Sequence, residues 1–332
     1  MIVLFTVLIL SVILVNGWTD APNAISTCVS TRSATPSGAL AIAAICNFVG
    51  SIGMAMINSR VAQTIFNMVD FSESPSAALP SLCAGMCAVV MWALIAWRFG
   101  LPTSESHALI SGITGAALAA GMSFNSVNAH EWLLIATGLL LSTLPAFILA
   151  RIIYSLMLRI IKGSERRKTI RYFNRAQKWS AASSALMHGA QDSQKFMGVF
   201  MLGTSLLRGN SVDESFEVPM AVILICAAVM TLGTVIGGGR IIKKVGIDMV
   251  SLDASEGTAA DMSSSAILIL CSLLGIPVST THSKACAMMG VGTRKPGGAN
   301  KKIISEMILA WLLTFPICGG IGFLLSFTIL HM

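Results

Sequence analysis

Long apolar runs separated by short polar stretches recur along the whole chain. Residues 39–58, 79–97, 132–158, 218–239 and 303–330 each approach or exceed the roughly 20 residues that an α-helix needs to cross a bilayer. A further run, 266–274, carries on past Pro277. The opening stretch MIVLFTVLILSVILVNG has no basic leading region and no small-residue cleavage pattern, so it reads as the first spanning segment rather than a secretory leader.

Composition supports this reading. Of 332 residues, 55% are hydrophobic and 11% are charged, where a soluble domain carries roughly a quarter charged. The expected class is an all-α polytopic membrane protein with lipid as its surroundings. The eight cysteines show no CxxC spacing and no histidine at metal-ligand distance, so they read as packing residues. The net charge of +7 sits in the stretches between apolar runs, where it acts as a topology signal. Nucleic acid is excluded as a partner on that ground.

The strongest internal pattern is a repeat. The octapeptide GLPTSESH at 100–107 returns as GIPVSTTH at 275–282, displaced by 175 positions. GWTD at 17–20 returns as GAQD at 189–192, displaced by 172. Two weaker pairs keep the order: Val49, Gly53 and Arg60 with Val229, Gly233 and Arg240 (180 positions), and Thr143-Leu-Pro145 with Thr314-Phe-Pro316 (171 positions). The expected division is a first repeat over 1–161, a basic cytoplasmic linker over 162–178 and a second repeat over 179–332.

Loop charge gives the halves a direction. Residues 162–178 hold seven Lys or Arg against Glu165, which places them inside. Lys243 and Lys244 are inside on the same rule, as are Arg294, Lys295, Lys301 and Lys302. The stretches with Asp70 and Glu73 and with Asp213, Glu214 and Glu217, and the uncharged 121–129, fit the outside. Each loop thus has its counterpart on the opposite side. That requires an odd number of crossings per half; five per half, with both termini outside, satisfies every loop. Inverted repeats of this kind, with broken helices or re-entrant hairpins at the midplane, belong to secondary transporters of the cell membrane. Labelling of a cysteine at residue 125 from the outside would check the orientation.

The chemistry lies in the repeated motifs. Residues 16–23 follow an apolar run and contain Pro22; Gly100 with Pro102, and Gly275 with Pro277, interrupt the later runs. Backbone groups freed by such breaks must line a protein cavity. Ser104, Ser106, Ser279, Thr280 and Thr281 add hydroxyl donors that suit a tetrahedral oxyanion. Asp20 and Asp192 are intramembrane carboxylates, each costing about 2.5–3.5 kcal/mol at a helix centre on insertion scales. They read as coupling-cation ligands, with helix capping as the alternative. Lys195 stands where the first half has Asn23; it contacts the anion, pairs with Asp192 or snorkels. His107, His282 and Glu105 are candidates for a proton relay, with capping as the alternative for the histidines and the cytoplasmic mouth for Glu105. His188 lacks a histidine counterpart and ranks lower, and Arg98 reads as a boundary residue.

GWTDAPNA at 17–24 and HGAQDSQKFMG at 188–198 resemble the two Gly-Ala-Asn-Asp signatures of the inorganic phosphate transporter family. GLPTSESHAL and GIPVSTTHS resemble its two Pro-x-Ser-x-Thr-His signatures. The resemblance spans both halves and implies symport of phosphate with Na⁺ or H⁺. It implies that Asn23, Ser104, Ser106, Lys195, Ser279, Thr280 and Thr281 bind substrate while Asp20 and Asp192 bind the cation. Thr19 and Gln191 stand where the family has Asn; each still offers an oxygen to that cation. No cofactor is expected beyond Na⁺ as a coupling ion, and a sulfate permease is the alternative within the family. A homodimer stays open.

Other classes fit less well. Ser104, His107 and Asp20 could be written as a hydrolase triad, but there is no G-x-S-x-G elbow and the arrangement occurs twice. A pump lacks its phosphate-binding loop motif. In a passive anion channel the buried carboxylates would repel the anion. The expectation is therefore a transporter and not an enzyme.

Overall fold

The structure is a computed structural model describing residues 1–71, 75–101, 103–120, 127–208, 216–237 and 239–332. Among these residues the chain is helical, with two isolated β-bridges. The first half runs α1 (Ile2–Thr19), α2 (Ala21–Ser30), α3 (Pro36–Ile57), α4 (Arg60–Asn67), α5 (Pro75–Arg98), α6 (Glu105–Ala119) and α7 (Ala129–Ile161). The second runs α8 (Arg166–Arg208), α9 (Met220–Ile236), α10 (Gly239–Ile241) leading into a π-helical stretch Ile242–Met249, α11 (Ala254–Leu274), α12 (Thr280–Gly292) and α13 (Lys301–His331).

Among the described residues six helices are long and apolar enough to cross a membrane, or seven if Met220–Ile236 and the segment bent from it by 62° count as one. α1 and α2 together make one of them. α6 and α12 have 15 and 13 residues. At about 1.5 Å per residue neither reaches across a hydrocarbon core of about 30 Å. α8, with 43 residues, is long enough, but its centre carries His188, Gln191, Asp192, Gln194 and Lys195, all buried. Large apolar side chains such as Leu140, Leu144, Leu312 and Leu324 face outward, as suits lipid better than water.

The two halves interlock by exchanging partners. α1 packs on α9 while α8 packs on α3; α6 packs on α13 while α12 packs on α7. Glycines let the backbones approach. A Cβ on Gly17 would fall 2.2 Å from the Met230 carbonyl oxygen, and one on Gly189 would fall 2.2 Å from that of Asn47. Likewise Gly50 meets Leu186 and Gly233 meets Leu14. Small residues at such crossings are how membrane helices pack closely. The bridges repeat as well, Val69 with Val127 and Val250 with Ala299.

These contacts correct several expectations. Gly50, not Gly53, is the spatial counterpart of Gly233, one helical turn from the sequence match; positions three apart share a helix face, so the pattern matched at the wrong turn. The run expected from 266 past Pro277 begins at Ala254 and stops at Leu274, where Gly275 takes φ +74°. Residues 254–265 are helical despite being polar, because Glu256, Asp261 and Ser263 to Ser265 are buried. The basic stretch 162–178 is mostly the start of α8, and Lys243 and Lys244 lie in the π-helical stretch rather than a loop. Glu73, Pro102, Asp213, Glu214 and residues 121–126, with the labelling position 125, lie outside the described residues.

Candidate functional site

Each aspartate motif is built differently by its helix. Pro22, on the first turn of α2, has no N–H to give, and the chain breaks after Thr19. The second motif has no proline, and α8 runs unbroken through Asp192. The two copies of the motif, alike in sequence, thus differ in backbone: the first breaks its helix and the second does not.

Around each carboxylate the side chains repeat. The Asn23 amide donates to Asp20 Oδ1 at 2.8 Å and to Thr281 Oγ1 at 3.1 Å. The Thr281 hydroxyl also donates to Asp20. At the equivalent place, Lys195 Nζ donates to Asp192 Oδ1 at 2.5 Å and to Ser106 Oγ at 2.6 Å. Its third bond goes to the Val278 carbonyl at 2.6 Å. Ser106 and Thr281 are themselves counterparts in the two octapeptides. Each triangle thus takes its hydroxyl from the other half, which is how α6 and α12 are tied to the centre.

The triangles meet. Thr280 Oγ1 lies 3.2 Å from Asp192 Oδ2 and 3.5 Å from Asp20 Oδ2. His188 Nε2 lies 3.2 Å from Asp192 Oδ2, with its other ring nitrogen 3.1 Å from Asn47 Oδ1. Asn16, the counterpart of His188, approaches Asp192 at 3.5 Å. Asp20, His188 and Asp192 offer ligand atoms within 4.8 Å of one another and could hold a metal ion. Two ionised carboxylates at that distance repel by about 3–4 kcal/mol at an effective dielectric of about 20. A cation between them removes that penalty.

Every expected site residue is buried, but not all converge. Thr19 Oγ1 lies 3.0 Å from Glu105 Oε1 and donates to the Val15 carbonyl at 2.7 Å. Glu105 is therefore inside the protein, not at a mouth. The Gln191 amide donates to Ser272 Oγ at 3.0 Å and the Ile276 carbonyl at 3.3 Å. Ser104 and Ser279 cap α6 and α12, accepting from the His107 and His282 backbone N–H groups at 3.2 Å each. The His107 and His282 rings meet edge to face with centroids 4.5 Å apart, flanked by Phe315 and Trp311. Ser104, His107 and Asp20 form no relay: Ser104 meets His107 through the backbone, and Asp20 is held by Asn23 and Thr281.

Two features escaped the sequence reading. His188 joins Asp192 although it ranked low. A second buried network was missed outright. Lys284 Nζ pairs with Asp261 and donates to the Ala24 carbonyl at 2.9 Å and Thr27 Oγ1 at 3.1 Å. Gln177 Nε2 donates to the same carboxylate at 2.7 Å. Lys284 sits just two residues beyond the second octapeptide, which was its one available signal.

Comparison with known proteins gives the chain its relatives. A family model described as "Phosphate transporter family" matches residues 16–322. A "Probable low-affinity inorganic phosphate transporter" of Bacillus subtilis is 36% identical over 319 residues, 96% of this chain and 93% of that protein. A protein of the same description from Rhizobium meliloti is 32% identical, over 94% and 91%. Among solved structures, "The sodium-dependent phosphate transporter" aligns with a TM-score of 0.87 at 21% identity, covering 99% of each chain; it shares the fold.

Proposed function

This chain belongs to the phosphate transporter family, and from that premise we propose that it imports inorganic phosphate by symport with a cation, through alternating access around the paired aspartates. One observation carries the reading. Two carboxylates and His188 are buried together with ligand atoms within 4.8 Å of one another, beside the N-termini of α6 and α12, whose first turns are rich in hydroxyls. An anion alone is repelled by such a site; an anion arriving with a cation is not.

In this reading phosphate accepts from the hydroxyls of Ser106, Ser104 and Ser279, and Thr280, Thr281 and the Asn23 amide, which hold the carboxylates in this structure, turn to it when the coupling cation takes over Asp20. The positive ends of α6 and α12 favour its charge. Asp20 and Asp192 hold the coupling cation, with the side-chain oxygens of Thr19 and Gln191 close by. His107, His282 and Glu105 are the groups through which a proton could pass. The exchange of partners between α1·α9 and α8·α3 supports a two-fold relation between the halves. Loop charge supports an axis in the membrane plane, with both termini outside and the repeats divided at 162–178. Each half can then rock against the other around a fixed centre.

The curated relatives are described as phosphate transporters, so sulfate serves as the competitor rather than the first choice. The test is uptake of labelled phosphate into proteoliposomes under imposed Na⁺ or H⁺ gradients. Accumulation driven by one of them, and resistant to excess sulfate, is the expected result. Equal uptake with and without either gradient would refute symport.

A further inference from the structure

Lys195 spends all of its bonding capacity on protein oxygens. An ammonium has three N–H donors, and here they meet a carboxylate (2.5 Å), a hydroxyl (2.6 Å) and a peptide carbonyl (2.6 Å). Nothing is left to donate to an anion. Carboxylate, hydroxyl and carbonyl oxygens are also the ligands that hard cations take. The equivalent position in the first half holds the neutral amide of Asn23, in the same contact with an aspartate and a hydroxyl. The surroundings of Asp20 are otherwise incomplete. Asn23 Oδ1, beside Asp20, is a buried acceptor with no hydrogen-bond partner among the described residues, and an orphan acceptor of this kind calls for a ligand.

We propose that Lys195 is a tethered cation that permanently fills the coupling-cation position of the second half, leaving the position around Asp20 and Asn23 as the one that a mobile cation enters. This deepens the symport reading and rests on it. It narrows the cation role given above to both aspartates: Asp192 is neutralised by covalently attached charge and takes no ion from solution. Among the described residues the hydrogen bonds to the Asp20 carboxylate come from Asn23, Thr280 and Thr281, all neutral, so it binds and releases the travelling cation. Duplication supplied two equivalent positions, and one residue decides how many ions travel with each phosphate.

The test measures the cation-to-phosphate ratio in proteoliposomes holding the full chain, from the Na⁺ or H⁺ gradient that just halts net flux of labelled phosphate. Lys195→Asn copies the first-half arrangement and should raise the ratio by one cation per phosphate. Asn23→Lys supplies a second tethered charge and should lower it by one, to uncoupled flux where the wild-type ratio is one. The exchange Asn23→Lys with Lys195→Asn moves the charge across and should restore the wild-type ratio. If Lys195→Asn fails to insert, Asn23→Lys and the exchange still decide. Ratios that stay at the wild-type value overturn the proposal. So does a Lys195→Asn protein with an unchanged ratio and a KM for phosphate raised tenfold, which would make Lys195 an anion contact. Absence of gradient-driven phosphate flux in the wild type would instead remove the symport reading beneath it.

Discussion

Asp20 and Asp192 occupy equivalent positions in a duplicated chain, yet their neighbours differ in charge. Asp192 has Lys195 and His188 against it; at the same two places Asp20's half has Asn23 and Asn16. The octapeptides differ in the same direction, with the acid Glu105 in the first half where the second has neutral Thr280. The Ser106 and Thr281 hydroxyls and the serine helix caps are copied, while charge, and the helix break at Pro22, are not. Geometry in a packed bundle is fixed by many contacts at once, so it survives substitution, whereas the sign of a site can change through one side chain. The centre is thus symmetric in shape and polarised in charge.

The largest expected effect separates the two aspartates. Asp20→Asn and Asp192→Asn should both abolish phosphate accumulation. Only the second should also damage the protein. Removing the Asp192 charge leaves the Lys195 ammonium buried without its partner, and breaking a buried pair in this way costs about 3–5 kcal/mol. Among the described residues Asp20 has no lysine or arginine partner, and an asparagine there keeps an acceptor for Thr281 and removes a repulsion. Thermal unfolding in detergent should show a large loss for Asp192→Asn and at most about 1 kcal/mol for Asp20→Asn. Comparable losses in both would mean that the charge difference between the halves has no energetic consequence.

A smaller asymmetry lies away from the centre. Counted by the octapeptide displacement, the counterparts of Asp261 and Lys284 are Met86 and Leu109, both fully buried in the apolar core. The first half fills with hydrocarbon what the second fills with an ion pair. Lys284→Leu alone strands the Asp261 carboxylate and should cost a few kcal/mol. Lys284→Leu with Asp261→Met, which copies the first half, should recover most of that loss, because replacing a whole buried pair by apolar residues is often neutral. A double variant as unstable as the single one would show that Thr27 and Gln177 depend on the pair for their own hydrogen bonds.

How much of this the sequence reveals depends on which force acts. The apolar runs mark α3, α5, α7 and α13 to within a few residues, because lipid demands continuous hydrocarbon. The glycine-proline breaks place the ends of α5 and α11, and the doubled motifs locate Asp20, Asp192 and their hydroxyl partners. Helix 254–265 is hidden because polar residues such as Thr258, Asp261 and Ser263 bond to α2, α7, α8 and α12, and hydropathy counts them as if they faced lipid. The continuity of α8 is hidden by its likeness to a first-half motif that breaks at Pro22. Pairings such as Lys284 with Thr27 join residues 257 positions apart, and no local pattern encodes them.

The smallest expected effect should be the same in both halves. Ser104 and Ser279 each accept from the histidine backbone N–H three residues on, at the same 3.2 Å. Ser104→Ala and Ser279→Ala should each cost about 1–2 kcal/mol, the upper part of the usual range for a lost cap, since the orphaned N–H cannot reach water inside the bundle. The two losses should agree to within about 0.5 kcal/mol, the margin for independent equivalent sites. Transport kinetics then test whether the symmetry reaches the substrate. The cap uses a lone pair and leaves the hydroxyl proton to donate, so a serine that also contacts phosphate should raise KM when it becomes alanine. A rise in both variants places the anion on the axis between α6 and α12. A rise in one variant alone, against equal losses of stability, would show that charge rather than helix geometry positions the anion, displaced toward the half with the positive neighbours.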